Sequence, residues 1–228
     1  MAFLVLEGLD GSGKSTQNKL LQDYLDKNKI PYKFLHFPRA GHGIFGKLIA
    51  SFLRGDLGKI DEVNPYLVSL IYAGDRNDAK GIIQKWLSAE YLVLADRYVM
   101  SNVAYQCAKI KTKEERRKLK EWIFHLEYEY YNIPKPDLNI FLDVPFGFIS
   151  EQLSTQRSGS ERDYLKGRKD IHEADLDFQQ RVRDVYLEQS EDEKNLRLIS
   201  CYDEKHGMLK PEEIFTRITD LLRSENFI

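Results

Sequence analysis

Five short runs of apolar, β-branched and aromatic residues recur along the chain: Ala2 to Leu6, Tyr32 to Phe37, Tyr91 to Ala95, Leu138 to Leu142 and Leu196 to Cys201. They barely alternate with polar positions, which is the pattern of strands covered on both faces. The segments between them are long enough for a helix and its turns, and strands spaced in this way build β-α-β units. The pattern predicts an α/β fold with a doubly wound parallel sheet in a single domain spanning 1–228. One helix is clearest over Thr112 to Tyr131. There Thr112 and Glu115 form a capping box, and Leu119, Trp122, Ile123 and Leu126 make one apolar stripe. Ile133-Pro134-Lys135-Pro136-Asp137 stops this helix and leads into a strand. A closing amphipathic helix is expected from Pro211 to Arg223.

Composition narrows the function. Of 228 residues 42% are hydrophobic and 31% charged, with a formal net charge of -2. That near balance excludes a basic nucleic-acid coat or an acidic disordered tail as the main activity. The local basic cluster of Lys109, Lys111, Lys113, Arg116, Arg117, Lys118 and Lys120 is broken by Glu114, Glu115 and Glu121, so it reads as a solvated helix face and no nucleic-acid partner is expected. Cys107 and Cys201 are far apart, with no Cys or His at metal-ligand spacing, which suits a reducing compartment without a zinc site. The first apolar run stops at Glu7 without a signal-peptide pattern, and no stretch approaches the roughly 18 uncharged apolar residues that span a bilayer. A cytoplasmic protein without a membrane partner is expected.

Chemistry enters at Gly8-Leu9-Asp10-Gly11-Ser12-Gly13-Lys14-Ser15-Thr16, which matches the P-loop pattern directly after a strand and before a helix starting near Lys14. Glycines let backbone N–H groups and the helix N-terminus face a phosphate, Lys14 adds a point charge, and Ser15 can coordinate Mg²⁺. The alternative is a Gly-rich turn capping a helix. Asp96 closes the third apolar run, where a carboxylate organises Mg²⁺ beside the P-loop serine, or alternatively caps a helix. Arg97 follows and suits a second anion. Asn28-Lys29-Ile30-Pro31 lacks the Asp that reads guanine in GTPase switches.

The sequence resembles the thymidylate kinases, nucleoside-monophosphate kinases of the P-loop class. The resemblance rests on the loop from Glu7 to Thr16, on Phe37-Pro38-Arg39, on Asp96-Arg97-Tyr98 with Ser101-Asn102-Val103-Ala104-Tyr105-Gln106, and on Asp170-Ile171-His172-Glu173 leading into Arg181-Val182-Arg183. It implies transfer of the ATP γ-phosphoryl group to dTMP with Mg²⁺. It also implies a three-layer fold with five parallel strands, helices on both faces, a mobile lid and a homodimer.

By the same resemblance, Gly8, Asp10, Gly11, Ser12, Gly13, Lys14, Ser15 and Thr16 form the ATP phosphate site. Asp10 also accepts from the acceptor 3′-hydroxyl, and Arg39 and Arg97 clamp the acceptor phosphate. Tyr72 stacks on thymine, Arg76 donates to O4, Asn102 meets N3 and Tyr105 crowds the 2′ position. Phe37, Ser101 and Gln106 complete the expected dTMP site. Tyr72 and Tyr105 alternatively read as plain core aromatics. A lid is expected at about 151–172, with five cations and two glycines from Arg157 to Lys169 and no apolar periodicity; a solvated charged loop is the alternative. Gly11 occupies the place where one branch of the family carries a transition-state arginine, which leaves Arg157, Arg162 and Arg168 as candidates. Two other functions remain open at this point: a different P-loop nucleoside or nucleoside-monophosphate kinase, or a nucleotide-binding module without catalysis.

Overall fold

The structure, a computed structural model, describes residues 2–154, 160–168, 170–203 and 207–228; the side chains at 154 and 160–162 lie outside the description. Each expected run is a strand: β1 Phe3–Gly8, β2 Tyr32–His36, β3 Leu92–Asp96, β4 Leu138–Asp143 and β5 Leu196–Ser200. They form one parallel sheet in the order β2-β3-β1-β4-β5. The first strand runs two residues past its apolar stretch because buried donors, described below, satisfy Glu7.

Eight α-helices among the described residues complete the fold: α1 Lys14–Lys27, α2 Gly43–Leu53, α3 Pro65–Ser88, α4 Val99–Cys107, α5 Lys113–Phe124, α6 Phe146–Ser154, α7 Leu176–Asp192 and α8 Pro211–Ser224. On one face of the sheet α1 and α8 pack together. On the other, α4 lies between α3 and α7. Local chemistry sets several starts: Asn64 accepts from Tyr66 N ahead of Pro65 in α3, and Asp175 accepts from Phe178 N in α7. Thr112 and Glu115 satisfy each other at the start of α5, as the capping-box reading expects.

That helix departs from expectation at its end. Its α-helical part stops at Phe124 and a π-helical turn runs over His125–Tyr130. The wider turn buries both Leu126 and Glu127, and Glu127 thereby reaches Arg76. Lys109 also departs from the solvated face: its Nζ is buried against the Phe52 ring at 4.9 Å, and burial pushes its pKa down to about 8. The rest of that basic surface is threaded with pairs such as Lys118 with Glu114 at 2.7 Å and Arg117 with Glu121 at 3.0 Å.

The main core fills both sides of the sheet, with Tyr186 stacked on Phe141 at 4.2 Å. A second cluster joins Ile49, Phe52, Leu53 and Val68 to Leu165, which lies in the 3₁₀ turn Ser160–Leu165. The expected lid thus carries an apolar anchor that the periodicity reading missed. Arg54 Nη1 donates to Tyr164 O at 2.7 Å and Ile171 N to Leu53 O at 3.0 Å, tying its described residues to α2. A short antiparallel hairpin, β6 Tyr202–Asp203 with β7 Gly207–Met208, was not expected. No helix among the described residues is long and apolar enough to cross a membrane.

Candidate active site

Parallel register brings three motifs to one edge. Leu6 pairs with Asp96 and Asp96 with His36, so the loops after β1, β3 and β2 open side by side at the carboxyl ends of their strands. Backbone bonds extend this alignment past the strands: Phe37 N donates to Asp96 O and Arg97 N to Leu6 O, both at 2.9 Å.

The loop after β1 wraps the start of α1. Gly13 caps the helix at φ 84, a left-handed conformation that favours glycine, and a Cβ on Gly8 would stand 2.5 Å from Ser12 Oγ. Lys14 is buried and its Nζ donates to Leu9 O at 2.8 Å and Gly8 O at 3.2 Å. Burial and the neighbouring Arg97 cation push its pKa down to about 8, with Asp96, Asp10 and Glu7 opposing. Asp10, Gly11, Ser12, Gly13 and Ser15 line the same cleft, whereas Gly8, at the end of β1, and Thr16, exposed one residue along α1, do not.

Beside it lies a dense polar junction. Asp10 accepts from Arg97 Nη2 at 2.7 Å, Tyr105 OH at 2.8 Å and Gln179 Nε2 at 3.1 Å. Burial opposes its ionisation, but Arg97, Lys14 and the Tyr105 hydroxyl prevail and hold the carboxyl well below the usual range. Arg97 adopts φ 65, unusual for a residue with a side chain, and its Nη1 donates to Ser101 Oγ at 3.1 Å. Underneath, fully buried Glu7 accepts from Ser101 Oγ at 2.6 Å, Tyr186 OH at 2.8 Å and Tyr98 N at 2.9 Å. Ser101 therefore braces Arg97 from below.

Arg39, after the cis Phe37-Pro38 peptide, is held by Asp75 through Nε at 3.0 Å and through the Asp75 carbonyl at 2.7 Å. Farther in, Arg76 is 2% exposed and pairs with Glu127 through Nε and, at 2.7 Å, Nη2. Asn102 Nδ2 donates to the same carboxylate at 2.9 Å and to Ser69 O at 3.1 Å. Tyr105 packs against His172 at 5.0 Å between ring centroids.

A single cleft of about 1140 Å³ joins these groups, running from the P-loop past Phe37, Arg39, Asp96 and Arg97 to Tyr72, Arg76, Asn102, Tyr105 and Gln106. Its two ends differ in chemistry. One is a helix N-terminus with a lysine, suited to phosphates; the other combines aromatic rings with directional polar groups, suited to a base. The family model for thymidylate kinase matches residues 6–223. The chain belongs to the thymidylate kinase family. Thymidylate kinase from Mycobacterium tuberculosis (strain CDC 1551 / Oshkosh) is 31% identical over 187 residues, covering 82% of this chain and 84% of that protein. The counterpart from Sulfurihydrogenibium sp. (strain YO3AOP1) is 29% identical over 236 residues, 99% and 98% of the two chains. A solved thymidylate kinase structure from Candida albicans shares the fold, with a TM-score of 0.71 at 23% identity over 99% of this chain and 92% of that one.

Most residues expected of the family therefore meet in one cleft, and Arg168, the one lid arginine whose side chain is described, does not line it. Arg168 is exposed and its Nη1 pairs with Asp56 at 2.6 Å. Arg157 and the Arg162 side chain lie outside the described residues. Conversely, Glu7, Asp75, Glu127, Gln179 and His172 each support a site residue and carried no expected role. Asp96 fits a metal site: its Oδ2 meets His36 Nδ1 at 3.2 Å, while its buried Oδ1 has no hydrogen-bond partner among the described residues. Burial opposes its ionisation, but the His36 bond and the Lys14 charge hold its pKa below the ordinary value.

Proposed function

We infer that this chain phosphorylates dTMP to dTDP with the γ-phosphoryl group of ATP. The observation that carries the reading is the single cleft lined at one end by the P-loop and at the other by Tyr72, Arg76 and Asn102, with Arg39 and Arg97 between them. Donor phosphates sit on the loop's N–H groups and Lys14. Arg39 and Arg97, already held by Asp75, Asp10 and Ser101, fix the acceptor phosphate so that its oxygen attacks in line. Their charge offsets repulsion between two anionic substrates, the main task in such transfers.

Asp10 stays ionised and spends its lone pairs on three donors, leaving room to accept one more from the sugar 3′-hydroxyl. Through its bond to Asp10, Tyr105 holds its ring against the sugar. Ser15 and Asp96 would hold Mg²⁺, which when bound neutralises charge on the donor phosphates. Arg157, Arg162 and Arg168 supply the remaining positive charge from the lid at 151–172, and Arg168 does so by exchanging its Asp56 partner for phosphate.

We also assign a homodimer to the paired helices α2 and α3. They leave Ile44, Leu48, Leu67 and Leu70 exposed, and Ile44 reaches 75%. Light scattering at twice the 26.7 kDa chain mass supports it, and a monomer at micromolar concentration refutes it. Two free cysteines support a cytoplasmic setting. The test of function is a coupled assay with Mg-ATP and thymidine, dTMP, dUMP, dCMP, dGMP and AMP as acceptors. The highest kcat/KM should be that for dTMP; thymidine as the preferred acceptor would overturn this reading.

A further inference from the structure

The pair of side chains at the far end of the cleft is set by a third that does not line it. Arg76 engages Glu127 through Nε and Nη2, so its Nη1 edge is turned away from the carboxylate, where among the described residues its one hydrogen-bond contact is Tyr98 O at 3.5 Å. Asn102 faces two acceptors, Glu127 Oε1 and Ser69 O, and both require a donor. Its Nδ2 must therefore turn to them, which leaves Oδ1 on the other side, buried and with no hydrogen-bond partner among the described residues. One carboxylate thus fixes a donor on Arg76 and an acceptor on Asn102, both in residues that line the cleft.

We propose that Glu127 is a positioning residue that selects the base: by orienting Arg76 and Asn102 it presents a donor beside an acceptor, the complement of O4 and N3–H in thymine and uracil. Cytosine reverses both groups, offering a donor at position 4 and an acceptor at N3, so each contact becomes donor to donor or acceptor to acceptor. Burial gives the arrangement its force. Glu127 is fully buried and Arg76 nearly so, and mispaired polar groups in such surroundings find no water to compensate them. Burial acts against the charge on Arg76, but Glu127, joined by Tyr98 and Asp75, prevails and keeps the guanidinium protonated in the interior. Glu127 occupies the i+4 position from Ile123 on the apolar face of its helix, where the π-helical turn swings it toward α3.

This deepens the acceptor reading given above and rests on it. In Glu127→Gln the new Nε2 faces an Arg76 donor in whichever of the two oxygen positions it takes, so Arg76 loses the two-point hold that aims Nη1, and in one of those positions Asn102 keeps only Ser69 O to fix its orientation. Steady-state kcat/KM is measured for dTMP, dUMP and dCMP in both proteins. The expected result is a fall of about tenfold or more in the dTMP-to-dCMP ratio. The dTMP-to-dUMP ratio and the KM for ATP should stay within about twofold, because neither depends on that edge, and Glu127→Asp should restore part of the selectivity. A role confined to folding would lower all three acceptors together. The wild-type protein supplies a second arm that needs no variant: N3-methyl-dTMP, which lacks the N3–H, should bind about thirtyfold more weakly than dTMP. An unchanged dTMP-to-dCMP ratio, or N3-methyl-dTMP binding within about threefold of dTMP, overturns the proposal while leaving the function intact. A wild-type protein that prefers a purine monophosphate overturns both.

Discussion

Arg97→Ala removes a bond to Asp10 at 2.7 Å, a bond to Ser101 Oγ at 3.1 Å and a guanidinium lying 5.2 Å from the Tyr105 ring centroid. Two separate losses follow. Stripping one partner from a buried ion pair costs about 3–5 kcal/mol. Here the Asp10 side chain is 23% exposed and keeps Tyr105 and Gln179 as donors, so a stability loss nearer about 2 kcal/mol is expected. The backbone contributes little to the difference, because alanine meets the same penalty as arginine at φ 65. Catalysis loses a preorganised donor on the acceptor phosphate, which typically lowers the rate 10²–10³-fold, or about 2.7–4 kcal/mol of transition-state stabilisation. Varying dTMP at saturating Mg-ATP gives kcat/KM. Binding of a non-hydrolysable ATP analogue and a thermal melt give the controls. The expected pattern is a fall of about two to three orders of magnitude in kcat/KM for dTMP with analogue affinity within about threefold. An equal loss of analogue affinity would place Arg97 in the donor site, and an unchanged kcat/KM would remove it from the clamp.

Two further variants test the surroundings of the cleft. Burial, reinforced by the nearby Lys109 cation, lowers the His172 pKa from 6.5 to about 3. Between those values the unfolded chain takes up a proton that the folded one refuses, so stability should fall as pH drops from about 6.5 toward 3. His172→Phe, which keeps ring packing against Phe52, Tyr105 and Phe178, should flatten this dependence in urea titrations between about pH 6.5 and 4.5. Parallel slopes in the two proteins would contradict a buried neutral imidazole. Leu165→Ala removes the buried leucine that, with partly buried Tyr164 beside it, anchors the 3₁₀ turn, and should destabilise it by about 2–3 kcal/mol, read as faster proteolysis within 151–172 with an unchanged cleavage pattern elsewhere. Cleavage at the wild-type rate would mean that Leu165 does not hold that segment on α2.

The strands were legible because a parallel sheet buried on both faces leaves nearly unbroken apolar runs; the bounds agree within one residue except at the end of β1, which runs two residues further. Glu7 shows why. A carboxylate closing an apolar run looks like a boundary, yet it is buried in β1 with donors 91 and 179 residues away, at Tyr98 and Tyr186. The P-loop, Asp96 and Arg97 were readable from local order, since each needs only its own strand end. The supports were not: Asp75 lies 36 residues from Arg39, Glu127 lies 51 from Arg76 and Gln179 lies 169 from Asp10. Nothing in the local sequence joins such pairs. Glu127 did leave a trace, as a charge on the stripe begun by Leu119 and Ile123. Lys109 misled in the opposite sense, since neighbouring lysines made it look solvated while Phe52 of a distant helix covers it.

Donor and acceptor anions should occupy adjoining pockets of one cleft at the same time. Isothermal titration of dTMP into the protein saturated with Mg²⁺ and a non-hydrolysable ATP analogue tests it most directly. One dTMP should bind per chain, with an affinity equal to or tighter than that of the analogue-free protein. Displacement of the analogue by dTMP, or loss of dTMP binding in its presence, would contradict it.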